Sequence, residues 1–328
     1  FEIYNPSGAA IDLNGYYLSD DSAEPLKYQV TSSVMVPAGG YRVVFASNRN
    51  EVAGNNIHTS FKINQQQQEY AVLSDPGGTT VDLKWLDSPT QANHSRGRVT
   101  DGATTYGVFT NPTPGAANST AYSGYADTPV FDIPSGEQAG AIDVTISSSQ
   151  PGVTVRYDTN GDFPTGTSTI AAGAINVPTT TVVHARAYSD DPQILPSFME
   201  TNTYLIAENH TVDVISISGP DLNILLDGTQ ISPIGHLEYF GVDGLLKDEA
   251  HGDFNEHGND SWAYDQRGID YITRDQMGYN DEIHHPIFRT KDRPAYQRLI
   301  IKAAANDNYP FDNTNGGGCH IIDAYVHS

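Results

Sequence analysis

The chain has 328 residues, 38% of them hydrophobic, with 30 glycines, 19 prolines and 19 tyrosines. That length suits two or three domains, and so many turn formers favour β-rich domains over helical bundles. The net charge of -23 repels nucleic-acid phosphates and makes DNA or RNA a poor partner.

The first segment, 1–117, alternates short β-rich runs with turns. Phe1 to Pro6 reads as the middle of a strand and not as a signal peptide, so the chain is expected to continue beyond its ends. Pro37-Ala38-Gly39-Gly40 precedes the run Tyr41 to Ala46, and Asp75-Pro76-Gly77-Gly78 separates Tyr70–Leu73 from Val81–Leu83. Strands about ten residues apart with Gly/Pro punctuation predict an antiparallel sandwich.

These residues carry a resemblance. Glu2-Ile3-Tyr4-Asn5-Pro6, Leu13-Asn14-Gly15-Tyr16-Tyr17-Leu18-Ser19-Asp20, His58-Thr59-Ser60-Phe61-Lys62 and Pro112-Thr113-Pro114-Gly115 resemble a bacterial lamin-tail domain. The resemblance implies an immunoglobulin-like sandwich used as an extracellular accessory module.

Residues 118–128 are small and polar and read as a linker. Period-two alternation follows in Ile142–Ile146, Val153–Tyr157 and Val182–Tyr188. The phrase Val155 to Thr165 is similar to the chitobiase/hexosaminidase C-terminal sandwich module, placed at 129–206. Within it Asp158, Asn160 and Asp162 have the oxygen-rich spacing that opens a calcium loop, though no later Glu and no flanking helices complete that pattern. A tight hairpin turn built on Asn160-Gly161 is the alternative.

Residues 207–328 differ in texture. Residues 121–206 hold only Arg156 and Arg186 as basic side chains, whereas Lys247, Arg267, Arg274, Arg289, Lys291, Arg293, Arg298 and Lys302 all follow residue 206. Strands are predicted at Val212–Ile217, His236–Phe240, Ile269–Thr273 and Arg298–Lys302, and a helix at 319–326 after Gly316-Gly317-Gly318. Cys319 is the single cysteine, which excludes an intrachain disulfide and a zinc–thiolate cluster. His251, His257, His284 and His285 match no zinc spacing, and a polar loop is expected around 251–257. No G-x-S-x-G elbow supports a serine hydrolase. No apolar run reaches the length of about eighteen residues that a membrane-spanning helix needs.

Glu238-Tyr239-Phe240, Asp265-Gln266-Arg267-Gly268-Ile269-Asp270-Tyr271, Arg274-Asp275-Gln276-Met277-Gly278-Tyr279 and Gln297 to Asn308 resemble the spore-coat-protein-H (CotH) kinase family. Together the segments predict a mostly β chain: two consecutive immunoglobulin-like β-sandwiches followed by a partial α+β CotH-like domain. The family implies ATP and Mg as cofactors for phosphorylating Ser or Thr of surface or extracellular proteins, from a secreted or cell-surface bacterial location. Its metal-binding and catalytic acids are expected beyond residue 328, and Asp307 and Asp312 are not adequate substitutes. Arg267 falls near the family's usual Lys, and Arg298 and Lys302 lie on the next strand, so these three are candidate phosphate contacts. Ion pairing of the arginines with Asp265, Asp270, Asp275 and Asp292 is the competing structural reading, and Trp262, Tyr264 and Tyr271 read as packing residues. The rival function is a non-catalytic structural or adhesive surface protein, with self-assembly as a further expectation.

Overall fold

The computed structural model describes residues 1–258, 267–288 and 291–302. Among them, helix is confined to single 3₁₀ turns at Leu222–Ile224 and Asp275–Met277. The protein is mostly β, as its short alternating runs and turn residues dictate. It forms two compact units, Phe1–Gly124 and a second that begins at Tyr125.

The first unit is built on two four-stranded sheets. One contains β1 (Glu2–Tyr4), β4 (Tyr41–Phe45), β5 (Glu51–Ala53) and β6 (Asn56–His58), in the order β1-β4-β6-β5. The other contains β2 (Tyr17–Ser19), β3 (Tyr28–Gln29), β7 (Tyr70–Ser74) and β8 (Thr80–Trp85), in the order β8-β7-β2-β3. Leu18, Val30, Val34, Val44 and Ile57 form the buried core between strands. The buried Asn5 amide donates to the carbonyls of Ala9, Val36 and Pro37 at 2.8, 3.2 and 3.0 Å, so it pins the Pro37–Gly40 turn to the first strand. A hairpin of β9 (Ser95–Arg98) and β10 (Tyr106–Phe109) completes the unit. Arg98 there grips Asp82 through both carboxylate oxygens, at 2.8 and 2.7 Å.

The second unit contains two five-stranded sheets. The first uses β11 (Gly136–Gln138), β13 (Val153–Asp158), β14 (Thr169–Ile170), β16 (Thr181–Ser189) and β17 (Glu200–Ile206), in the order β11-β17-β16-β13-β14. Its partner layer includes the pair β12 (Ile142–Val144) and β15 (Ile175–Val177). The predicted single strand over 142–146 is broken at Thr145, and Ile146–Ser147 pairs instead with Val130–Phe131. Val144, Ile146, Val177, Val183, Ala185, Ala187 and Tyr204 fill the core.

The other sheet runs in sequence order: β18 (Val214–Ser218), β19 (Ile234–Phe240), β20 (Leu246–His257), β21 (Gly268–Thr273) and β22 (Arg298–Ile301), all antiparallel. Leu237, Tyr239, Ala250, Phe254, Tyr271 and Leu299 bury one face. Gly235 and Gly252 stand opposite each other in register. A Cβ on Gly252 would lie 2.3 Å from the Ile272 carbonyl oxygen, and one on Gly235 would lie 2.8 Å from the Phe254 ring. The glycine pair therefore makes room for Phe254 and Tyr271, whose rings sit 4.6 Å apart. The polar loop expected around 251–257 is instead the second half of the twelve-residue strand β20. Its His251 is buried because neighbours cover both faces of the sheet. The predicted helix at 319–326, Cys319, Trp262, Tyr264, Asp265, Asp307 and Asp312 lie outside the described residues.

Candidate functional site

The densest polar cluster of the second unit lies where its two five-stranded sheets meet. Alternation along the strands builds it. On β16, Val183, Ala185 and Ala187 point into the sandwich core, so His184 and Arg186 point the other way. On β17, Tyr204 and Ile206 face that same core, which leaves Thr201 and Thr203 on the outer face. On β19, Leu237 and Tyr239 serve the apolar face, and His236 and Glu238 face the opposite side. His251 and Glu249 arrive from β20.

These groups bond across the joint. The Glu238 carboxylate accepts from the backbone N–H of Thr203 at 3.1 Å, and from the hydroxyls of Ser135 and Thr203. The Thr203 hydroxyl also lies 2.7 Å from that of Ser216. His236 Nε2 lies 3.1 Å from Glu249, and His184 Nδ1 lies 2.9 Å from the Thr201 hydroxyl. His251 stacks on Tyr279 with ring centroids 3.8 Å apart, while Phe163 packs against both His184 and His251. The Tyr279 hydroxyl donates to the Met199 carbonyl at 3.1 Å and accepts the Met199 N–H at 2.7 Å. At the edge, Glu137 N–H donates to the Gly244 carbonyl at 3.0 Å, which ties β11 to the turn between β19 and β20.

Electrostatics follow from burial. Removal from water pulls the His184 ring down to about 3, with the nearby His236 adding to the effect. His251 is held well below its ordinary range by burial first, then by His236, His184 and Arg186. The carboxyls shift the opposite way: burial and the charge of Glu249 push Glu200 up to about 7, and burial raises Glu238. Glu200 and Glu249 also open onto a cleft of about 380 Å³ walled by Phe131, Pro134, Ser135 and Leu246.

The candidate phosphate contacts are distributed over one hairpin. Arg267 immediately precedes β21 and Lys302 immediately follows β22, and the register Ile269↔Ile301 brings these two ends together. Arg298 starts β22 at the other end, opposite Ile272, about 13 Å along the strand from Lys302. It holds the buried Asp270 through two charge-assisted hydrogen bonds, one of 2.7 Å from Nε. Arg298 therefore makes one of the ion pairs that the structural reading named, whereas Arg274 pairs with Asp253, which that reading did not include.

Asp158, Asn160 and Asp162 sit at the end of β13. Asp158 Oδ1 accepts the Asn160 N–H at 3.0 Å, Asn160 Oδ1 accepts the Asp162 N–H at 2.8 Å, and Gly161 takes φ +94°. Their side-chain oxygens cap this turn, but it is not the tight hairpin expected on Asn160-Gly161: β13 pairs with β14 only at Thr169–Ile170, and the intervening residues form a longer loop. Among the described residues no group of three or more His, Cys, Asp or Glu side chains is arranged to hold a metal ion. No described helix is long and apolar enough to cross a membrane.

Comparison with known families matches one segment within each unit. Residues 1–86 match the Lamin Tail Domain family. Residues 133–193 match the chitobiase/beta-hexosaminidase C-terminal domain. No curated protein and no solved structure gives a significant match. The first match spans both four-stranded sheets and the second covers most of the second sandwich, whereas most of the residues named in the histidine joint lie beyond 193. Sequence reading missed Glu200, Glu249, Ser135, Thr203 and Tyr279 as site residues. Alternation along 181–189 marks a strand with one apolar and one polar face, so the burial of its polar face carried no signal in the sequence.

Proposed function

We propose that the chain is part of a secreted, cell-surface bacterial protein in which two β-sandwich accessory modules carry a CotH-like domain that begins near residue 207. The reading is supported by the five-stranded sheet β18–β22, which is formed from much of the sequence that resembles the CotH family, and by its bonded joint to the second sandwich. A sandwich locked to the next domain through buried hydrogen bonds orients that domain, as an accessory module must.

In this reading the CotH-like domain transfers the γ-phosphoryl group of ATP to Ser or Thr hydroxyls of extracellular proteins. Arg267 and Lys302, at one end of the β21–β22 hairpin, suit a phosphate contact. Arg298 is assigned to holding Asp270. The described residues do not fit a magnesium site, so no step through a metal is derived. The pairing of Arg298 favours a second reading, a non-catalytic surface protein with the same modules.

Thermal melting of the whole protein with and without ATP and MgCl₂ separates the readings. A nucleotide-dependent rise in Tm, lost in Arg267→Ala together with Lys302→Ala, supports the phosphate contact. An unchanged Tm, combined with no phosphate transfer to an extracellular protein fraction, removes the catalytic reading.

A further inference from the structure

Three buried histidines meet in the joint, and each leaves one ring nitrogen without a hydrogen-bond partner among the described residues: His184 Nε2, His236 Nδ1 and His251 Nε2. They come from both sides of the joint, His184 from the sandwich strand β16, and His236 and His251 from β19 and β20. The His236 and His251 rings lie 4.6 Å apart. A proton added to such a ring sits on a nitrogen shut off from solvent with no acceptor among the described residues, and it faces a second imidazole. Separating the two sheets would expose all three rings to water.

We propose that this face is an acid-labile joint, which holds the second sandwich on the five-stranded sheet while His184 and His251 are neutral and releases it when they take up protons. The charged and titratable groups around each ring set the direction. His184 faces Thr201 of β17, Phe163 and His236. His236 faces Glu249 of β20, and senses Glu200 of β17 and Glu238 of its own strand. His251 faces Tyr279, Phe163 and His236, and senses His184 and Arg186 of β16.

Two opposed contributions follow. The depressed histidines favour the closed joint above their ordinary value of 6.5, and that contribution is lost as pH falls toward about 3. Glu200 has the opposite sign: raised from 4.5 to about 7, it favours the closed joint below 4.5 and loses this contribution as pH rises through about 7. Between 4.5 and 6.5 the carboxyl and histidine contributions offset each other. Below that window the Glu200 contribution is constant, and the histidines set the slope together with Glu137 and Asp243, whose carboxyls are held low by hydrogen bonds from His210 and Lys247.

Hydrogen exchange on the whole chain, corrected for intrinsic rates at each pH, tests the joint against the first unit. Amides of β16, β17, β19 and β20 are expected to lose protection about ten-fold per pH unit for each titrating histidine below about pH 4.5. Strands β2 and β7 serve as the reference. The variant His184→Leu/His251→Phe, which keeps an apolar or aromatic filling, is expected to flatten that loss. Equal loss in wild type and variant, or a parallel loss in β2 and β7, would overturn the proposal. Should the variant not fold, NMR titration of the wild-type histidine ring protons decides. His184 and His251 rings that stay neutral until protection is lost support the joint, and either ring titrating near 6.5 while protection persists refutes it.

Discussion

Strand β16 separates two kinds of interior. On one face Val183, Ala185 and Ala187 meet Val155, Val177 and Tyr204 in an apolar core. On the other, His184 and Arg186 enter a joint of histidines, carboxylates and hydroxyls. Both faces are covered, yet they stabilise differently. The apolar face gains from each methyl removed from water, and it tolerates changes that conserve volume. The polar face gains little per group, but each buried partner lost leaves another unsatisfied. The first kind of interior holds a module together. The second specifies how one module meets the next, and it responds to protons.

The largest expected effect is on the apolar face. Tyr204 is fully buried and its hydroxyl donates to the Ile133 carbonyl at 2.8 Å. Tyr204→Ala should lower unfolding stability by about 3–5 kcal/mol in urea denaturation, by analogy with other large aromatic truncations. A loss below about 1 kcal/mol would show that the apolar face does not dominate. On the polar face, Glu238→Ala removes the acceptor shared by Ser135 and Thr203. The expected cost is about 1–3 kcal/mol. Glu238→Gln, which keeps an acceptor oxygen, should recover most of it. Equal losses in both variants would mean that volume and not bonding matters at that site.

The smallest effect tests charge alone. Glu200 is raised from 4.5 to about 7, so its ionised form opposes the closed joint once pH exceeds about 7. Glu200→Gln should therefore raise Tm slightly at pH 8 and leave it unchanged at pH 4.5. A rise of the same size at both pH values would assign the effect to packing.

Much of the fold was legible along the chain. The turns at Pro37–Gly40 and Asp75–Gly78 and the strands at 41–46, 153–157, 182–188, 236–240 and 269–273 follow from alternation and turn chemistry, and the structure places strands there. The candidate site was less legible. Arg267, Lys302 and Arg298 look equivalent in sequence, and register alone puts the first two at one end and ties the third to Asp270. His251 reads as part of a polar loop because Lys247, Asp248, Glu249, Asp253 and Glu256 surround it. Its burial depends on β16 and Tyr279, which are far away in sequence.

The sequence by itself determined the β-rich class and the two sandwich modules. Period-two patterning and glycine or proline turns are local, and each acts within a few residues. Only the tertiary structure decided that the outer face of β16 and β17 would be buried, which carboxylates would share a cleft, and that three histidines would meet, each with one ring nitrogen lacking a partner among the described residues. Those outcomes depend on contacts between strands well separated in sequence, such as Thr203 with Glu238 at a separation of 35 residues, and the energy of a buried charge is set by the surroundings that such contacts create.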